Sequence, residues 1–546
     1  MNIALLGSYS TQFLSKELQN IFEDYNLYEA EFSQIDLEII NENSGLYNFK
    51  PDYLIIHETV ISFRENFYAE QNHNMFYKEY ISKLEILFQT VTGKIPNVKI
   101  IYPTFDLETD MVFGNFYSKV ESSFDSQLNY FNYELNKLSL KINNLYLLDI
   151  NQLALKFRNI RDYRMVVNSE LHFSISFTKI IAENLSRLIN ALEGKFKKCI
   201  ILDLDNTLWG GVIGDDGIDS IQIGNNGIGK AFSLFQKWLK QLKNRGIILC
   251  ICSKNDRQTA EEPFLKHSEM VLSLNDFAIF VANWNNKVDN IKYIKSVLNI
   301  GYDSMVFIDD NPAERDLVLS NIKDIEVPDL PQDPAEYLPF LIKKNLFEVS
   351  SFSKNDHKRT EQYQSSQKRL ELEQSSVNMV EYLKSLEMKA TIQKINNTQI
   401  SRIAQLVQRT NQFNARTVRY DSSAIKKLLN DSKCFSYSIS LVDKFGSHGI
   451  VSCIIIKETS NGVYFIDTFI MSCRVFNRGL EYFVFDNLKQ ILDSKKSDMI
   501  EVEWFPTKKN DLVRKFYKGL GFDNFKNKKS GLKIKNLNIE DYYIKN

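Results

Sequence analysis

Short apolar runs alternate with longer amphipathic stretches through the first two thirds of the chain. "NIALLGS", "YLIIHET", "VKIIYPTF" and "LYLLDI" punctuate residues 1–195, with helical stretches between them. Residues 196–345 repeat the alternation with "KCIILDLD", "GIILCICSKND" and "SMVFIDDNP", separated by segments such as "AFSLFQKWLKQLKNRG". Runs that are apolar on both faces suit strands sandwiched between helices, so two parallel α/β layers are expected. The pattern breaks at "SSFSKNDHKRTEQYQSSQKRLELEQSS", and residues 346–385 read as a linker passing into a helix. From 386 to 546 the texture is α+β. Helical "TQISRIAQLVQRTNQF" leads to strands "CFSYSISLVD", "GIVSCIIIKE" and "VYFIDTFIMSCRVF", then a helix and "MIEVEWF".

Length and composition narrow the class. At 546 residues the chain exceeds one core, and 44% hydrophobic with 25% charged residues is the make-up of a globular protein. The 67 basic and 68 acidic residues leave a net charge of −1, which argues against nucleic acid or an anionic membrane as the main partner. No apolar run approaches the ~20 residues of a membrane-spanning helix. "MNIALLGSYS" has neither a basic n-region nor a cleavage site, and six scattered cysteines form no disulfide or zinc pattern. A cytoplasmic enzyme with reduced thiols is expected.

Two apolar runs end in paired carboxylates. Strand residues two apart point to one side, so Asp203 and Asp205 converge, at the strand end where parallel sheets hold ligands. Ser253 ends "CICS", Asp309 and Asp310 end "MVFIDD", and Lys287 opens a helix in "NWNNKVDNI". Clustered carboxylates repel one another, and a shared Mg²⁺, a hard ion with oxygen ligands, is the economical remedy.

This order resembles the four-motif pattern of the haloacid-dehalogenase (HAD) phosphatase superfamily. The resemblance implies Asp203 as the nucleophile that accepts phosphoryl and Asp205 as the general acid/base. Ser253 would bind phosphoryl oxygens, with Thr207 beside the substrate, and Lys287 would balance charge. Mg²⁺ would be held by Asp203, Asp309, Asp310 and the backbone carbonyl of Asp205.

The final segment resembles a Gcn5-related N-acetyltransferase (GNAT) fold. "MSCRVFNRGLE" is similar to its pyrophosphate loop, where backbone N–H groups around Arg478 and Gly479 suit a phosphopantetheine arm. "TKKNDLVRKFYKGLGF" resembles the second GNAT signature, with Asn510 and Tyr517 in matching places. Taken with "LDLDNTLWGGVIGDDG", "CSKND" and "RTNQFNARTVRY", these stretches look like the FkbH-like family. That family joins a HAD domain of subfamily IIIC to a GNAT-like domain, often behind an SGNH-hydrolase-like segment. The resemblance implies a multidomain α/β chain: an SGNH/flavodoxin-like layer over 1–195, a HAD-like Rossmannoid sheet over 196–345, the linker and helix over 346–385, and a GNAT-like α+β domain over 386–546. It also implies D-1,3-bisphosphoglycerate as substrate, loss of phosphate, and a glyceryl thioester on the phosphopantetheine of an acyl carrier protein.

Such chemistry needs a thiol, and two compete. Cys473 adjoins Arg474 and lies near Arg478, and cationic neighbours favour a thiolate. Cys252 precedes Ser253, so strand alternation turns it away from a metal site that Ser253 faces. Cys473 is favoured; Cys199, Cys250, Cys434 and Cys453 read as core. "RTNQFNARTVRY" supplies Arg409, Asn411, Gln412 and Asn414 to an expected substrate- or carrier-binding loop. His448 reads as a strand-edge residue in a turn. The N-terminal segment departs from a working SGNH hydrolase: "LLGSYS" lacks the Gly-Asp-Ser block, and Ser169 stands where an Asp would orient His172 toward Ser8. It is expected to be a scaffold. The competing function is a simple HAD phosphatase whose C-terminal domain only binds substrate.

Overall fold

The computed structural model describes all residues except 23–24, 353–359, 361–362, 365–368, 370–371, 373–377, 461, 496, 523–524 and 526–527. The polar middle of the expected linker therefore falls outside the described residues. The chain forms two compact units, Met1–Asn190 and Ala191–Asn546. Among the described residues no helix is long and apolar enough to cross a membrane.

The first unit is a five-stranded parallel sheet: β1 (Asn2–Gly7), β2 (Asn26–Glu29), β3 (Tyr53–His57), β4 (Lys99–Pro103) and β5 (Leu145–Leu148). Its order, β2-β1-β3-β4-β5, is the doubly wound flavodoxin-like order. β1 and β3 are buried almost throughout, as the apolar runs require. Aromatic rings fill the helix-facing core, with Phe63 packed within 5.5 Å of Phe76, Tyr80, Phe105 and Phe131.

The second unit holds two sheets. β6 (Cys199–Leu202), β7 (Ile248–Ser253), β8 (Phe277–Ala282) and β9 (Met305–Ile308) form a parallel sheet in the order β8-β7-β6-β9. β8, from "FAIFVA", is a strand that the sequence pattern did not reveal. Aspartates and a serine at the ends of β6, β7 and β9 consequently meet at one edge. The remaining strands are β10 (Lys389–Lys394), β11 (Cys434–Asp443), β12 (Gly446–Ser460), β13 (Val463–Met471), β14 (Met499–Glu503) and β15 (Lys529–Lys533). They pair in sequential order, antiparallel except for the parallel β13–β14 pair.

That parallel pair spans only Val463–Phe465 against Met499–Glu501, after which the strands part. Asn414 and Ala415 fill the gap. Asn414 bridges Ile470 on β13, while the Phe505 N–H donates to the Ala415 carbonyl at 2.9 Å.

A buried ion cluster closes the β11–β12 hairpin. Arg369 makes two bonds to Asp443, Nε to Oδ2 at 2.6 Å and Nη2 to Oδ1 at 2.7 Å. His448 Nε2 lies 2.9 Å from Asp443 Oδ2, and Arg478 Nη1 stands 3.6 Å from the same atom. His448 is thus a buried member of this cluster inside β12, not the strand-edge turn residue expected from "FGSHGIV". Burial opposes the Asp443 charge, yet the hydrogen bonds from His448 and Arg369 hold its carboxyl well below the ordinary value of 3.8. The depressed value makes this stabilisation fully present above pH ~4 and lost as the pH falls below it. Asp443→Ala strands a cation that is 3% exposed, and should cost about 3–5 kcal/mol, read as a lowered midpoint in denaturant unfolding. A midpoint unchanged from wild type would refute the role given to this cluster.

Candidate active site

Strand ends and one helix start build the site. Asp203 follows β6, Ser253 closes β7, Asp309 and Asp310 follow β9, and Lys287 is the first residue of helix Lys287–Leu298. Asn286 caps that helix, its side chain accepting from the Asp289 N–H at 2.8 Å, which aims the first turn inward. Lys287 Nζ reaches Asp203 Oδ2 at 2.8 Å and Asp309 Oδ2 at 2.5 Å. Burial works against the lysine's charge, but the two carboxylates hold it firmly protonated.

One oxygen from each of Asp203, Asp309 and Asp310 lies within 4.8 Å of the others. One lysine cannot balance three clustered carboxylates: burial, then the Asp203 charge, pushes Asp309 up to about 6 and also raises Asp310. Asp203 Oδ1 is buried without a hydrogen-bond partner among the described residues. An all-oxygen set with an orphaned buried oxygen and excess negative charge fits a hard divalent cation such as Mg²⁺.

Surrounding residues fix the carboxylates. Asp205 sits apart from the ion cluster: Oδ1 accepts from Trp209 Nε1 at 3.0 Å and the Ile213 N–H at 2.9 Å, and Oδ2 accepts from Asn255 Nδ2 at 2.7 Å. Burial raises its pKa, the direction a proton donor needs. Thr207 is fully buried and faces Asp310, whose backbone N–H donates to its Oγ1 at 3.2 Å. It therefore positions a carboxylate, where a substrate contact had been expected. Arg315 Nη1 donates to the carbonyls of Asp309 (3.0 Å) and Asp310 (2.7 Å), bracing that turn. Neither Asn255 nor Arg315 was singled out from the sequence, although Asn255 stands in the quoted "CSKND" and Arg315 one helical turn past Asn311.

The thiols separate clearly. Cys473 is half-buried and opens a short turn after β13. Cys252 is fully buried, its Sγ directed at the Lys287 carbonyl 3.8 Å away, and burial pushes its thiol far up. Cys199, Cys250 and Cys453 are buried, but Cys434 is half-exposed beside Asp431, correcting its assignment to the core.

Cys473, Arg474, Arg409, Asn411 and Gln412 share the wall of one cavity of about 390 Å³. Arg474 Nε donates to Ser472 Oγ at 3.2 Å, Arg409 donates to the Ser351 carbonyl, and Asn411 Nδ2 donates to the Gly194 carbonyl at 3.0 Å. Four other expected binding residues are placed differently. Asn510 is 0% exposed, its Nδ2 donating to the carbonyls of Asn414 (3.0 Å) and Phe505 (2.9 Å). Tyr517 is buried among Phe485, Phe516 and Phe522. Asn414 plugs the β13–β14 gap, and Arg478 faces the Asp443 cluster. Asn510, Tyr517 and Asn414 are buried, which corrects the expectation that they touch ligand, whereas Arg478 lines a second cavity, of about 200 Å³, with Cys473 and Arg474. Gly479 adopts φ +81° at the start of helix Leu480–Ser494, where a Cβ would come within 2.9 Å of Tyr542.

In the first unit Ser8 and His172 do not pair. Ser8 Oγ meets Ser62 Oγ at 2.7 Å, and His172 Nδ1 meets Thr59 Oγ1 at 2.7 Å, with burial lowering the His172 pKa.

A model of the family described as "FkbH, N-terminal domain" matches residues 2–190. The N-terminal part of protein BF1531 from Bacteroides fragilis, which contains a phosphatase domain and was crystallised with Mg, is 42% identical. The match covers 95% of that chain and 64% of this one, with a TM-score of 0.62. The chain belongs to the FkbH-like family. A HAD-like hydrolase superfamily protein of Schizosaccharomyces pombe is 26% identical over 177 residues, 95% of its length and 30% of this chain. The ribosomal-protein-S18-alanine N-acetyltransferase of Escherichia coli aligns over 27% of this chain and 94% of its own at 12% identity and TM-score 0.22, too low to bear weight. This FkbH-like chain is thus an enzyme with a HAD-type phosphatase domain.

Proposed function

We propose that this protein is a cytoplasmic, Mg²⁺-dependent phosphatase/acyltransferase. It dephosphorylates D-1,3-bisphosphoglycerate and transfers the glyceryl group as a thioester to the phosphopantetheine of an acyl carrier protein. The observation that carries this reading is the coexistence, in one compact unit, of the carboxylate–lysine site and a thiol in the wall of a cavity.

At the first site an Asp203 oxygen attacks phosphorus and the bond to the leaving oxygen breaks, with Asp205 donating the proton. Water then attacks the aspartyl phosphate, Asp205 taking its proton, and inorganic phosphate leaves. Lys287 and Ser253 offset charge on the phosphoryl oxygens. Mg²⁺ held by Asp203, Asp309 and Asp310 would neutralise the nucleophile and substrate. At the thiol, Cys473 sulfur attacks the acyl-phosphate carbonyl, the C–O bond to phosphate breaks, and phosphate departs. The pantetheine thiol then attacks that thioester, its proton passing to Cys473 as the Cys473 sulfur leaves.

The two centres stand at opposite edges of one sheet. Lys198, in the cavity wall, precedes Asp203 by five residues of extended chain, about 16 Å. Helix Lys287–Leu298 spans a similar distance, about 16 Å, from the first site to the Cys473 side. An acyl group on a long pantetheine arm can cross that gap, whereas a side chain cannot. The same separation favours the second reading, a HAD phosphatase whose C-terminal layer only binds substrate.

Incubating the protein with Mg²⁺, the bisphosphate and holo carrier protein, then weighing the carrier, separates the readings. A glyceryl mass on the carrier supports acyl transfer; phosphate release with an unmodified carrier defeats it. EDTA should reduce phosphate release at least 10³-fold, and excess Mg²⁺ should restore it. Activity surviving EDTA would exclude the metal role.

A further inference from the structure

At the carboxyl edge of its sheet the first unit displays an apolar surface on a fixed frame. The loop that follows β4 is anchored through its acidic residues. Arg161 makes two bonds to Asp106, both 2.6 Å, while Glu108 accepts from Arg64 Nη2 at 2.9 Å and from the Tyr163 hydroxyl at 2.7 Å. Asp110 accepts from the Tyr68 hydroxyl at 2.7 Å and the Val112 N–H at 3.0 Å. Around these anchors Leu107, Met111, Val112, Phe113 and Phe116 face solvent, Val112 at 68% exposure. Each of the three acids is engaged, so what the loop presents outward is apolar.

The helix beside it has the same character. Tyr163–Ser169 buries none of its seven residues, and a helix that short does not hold together alone in water. Tyr163 and Val167, one helical turn apart and therefore on one face, are exposed, Val167 at 78%. The bond from Tyr163 to Glu108 joins that face to the loop. Together these side chains leave on the order of 700 Å² open, more than the roughly 300–600 Å² of the largest patch on a typical monomer and close to the ~800 Å² per partner of a standard interface. Phe, Tyr and Met are residues that such interfaces favour.

The charges at the margin select the occupant. Exposed Lys119 and Arg164 are offset by exposed Glu121 and Asp162, so these four leave no net charge. An acidic protein or an anionic membrane calls for a basic margin, and a margin of one sign would repel its own copy. Both signs side by side suit an isologous contact, in which each residue meets the two-fold related set. We infer that this face is the interface of a homodimer, with a second copy of the chain covering the loop and helix of the first. Both elements lie in Met1–Asn190, so the dimer forms through the first unit and stands whatever acyl chemistry the second unit performs.

Sedimentation velocity on the full chain from about 1 to about 100 µM tests this, and should show a species of twice the chain mass whose share grows with concentration. Val112→Glu and Phe116→Glu each place a charge in the contact and should raise the dissociation constant about thirtyfold or more, and the double variant should sediment as monomer throughout. Ile86→Glu, in the separate groove beside Ile40, should leave that constant within about twofold. All three positions are exposed, so the variants should keep the wild-type far-UV circular dichroism and Mg²⁺-dependent phosphate release within about twofold. Phosphate release thereby reports on the phosphatase reading separately from the dimer. A wild type that stays monomeric up to about 100 µM overturns the inference, as does a dimer that survives the double variant. Dissociation by Ile86→Glu as strong as that by Val112→Glu would also overturn it.

Discussion

Asp203→Asn should lower Mg²⁺-dependent phosphate release by about 10⁴-fold or more. The amide keeps the shape of the side chain and can still meet Lys287, which is 2.8 Å from the carboxylate in the native site. It removes the anionic nucleophile, and no neighbour can replace it. Asp309 and Asp310 belong to the candidate metal site, and Asp205 is tied by three hydrogen bonds. Removing one of three crowded carboxylates also relieves repulsion, so the variant should unfold at a temperature no lower than wild type in EDTA. Phosphate assays and thermal unfolding on one preparation check both halves. Activity within tenfold of wild type would disqualify Asp203 as nucleophile.

Cys473→Ala should reduce acyl transfer to the carrier by about 10³-fold or more while phosphate release from a simple phosphomonoester stays within twofold. The split follows from geometry, since the thiol and Asp203 are separated by about one strand length, about 16 Å. Cys252→Ala is the informative control. That thiol is fully buried, and burial holds it protonated, so its loss should leave acyl transfer intact and cost only packing. Transfer lost in Cys252→Ala but kept in Cys473→Ala would exchange the roles of the two cysteines.

The phosphatase half was legible in the sequence because its chemistry is written locally. Each residue stands at the end of an apolar run, and a parallel sheet brings such ends to one edge regardless of the helices between them. The C-terminal half was less legible, because its signatures resemble ligand contacts, yet Asn414, Asn510 and Tyr517 are buried. Asn510 Nδ2 donates to the Asn414 carbonyl, a relation that spans 96 residues. His448 reads as a turn residue until Arg369 arrives from a polar stretch 79 positions earlier. Edge strands β10 and β15 escaped notice because "KATIQK" and "KSGLK" are mostly exposed and carry no apolar run. Ser8 and His172 could be paired on paper, but Thr59, 113 residues from His172, takes the imidazole instead.

Intact-protein mass spectrometry after incubation with Mg²⁺ and enzymatically generated 1,3-bisphosphoglycerate reads out acyl transfer to Cys473. A hydroxylamine-labile adduct of glyceryl or phosphoglyceryl mass is expected on the wild type and is absent from Cys473→Ala. Equal phosphate release by both proteins with no adduct on either would contradict it, and would leave a phosphatase whose C-terminal layer performs no acyl chemistry.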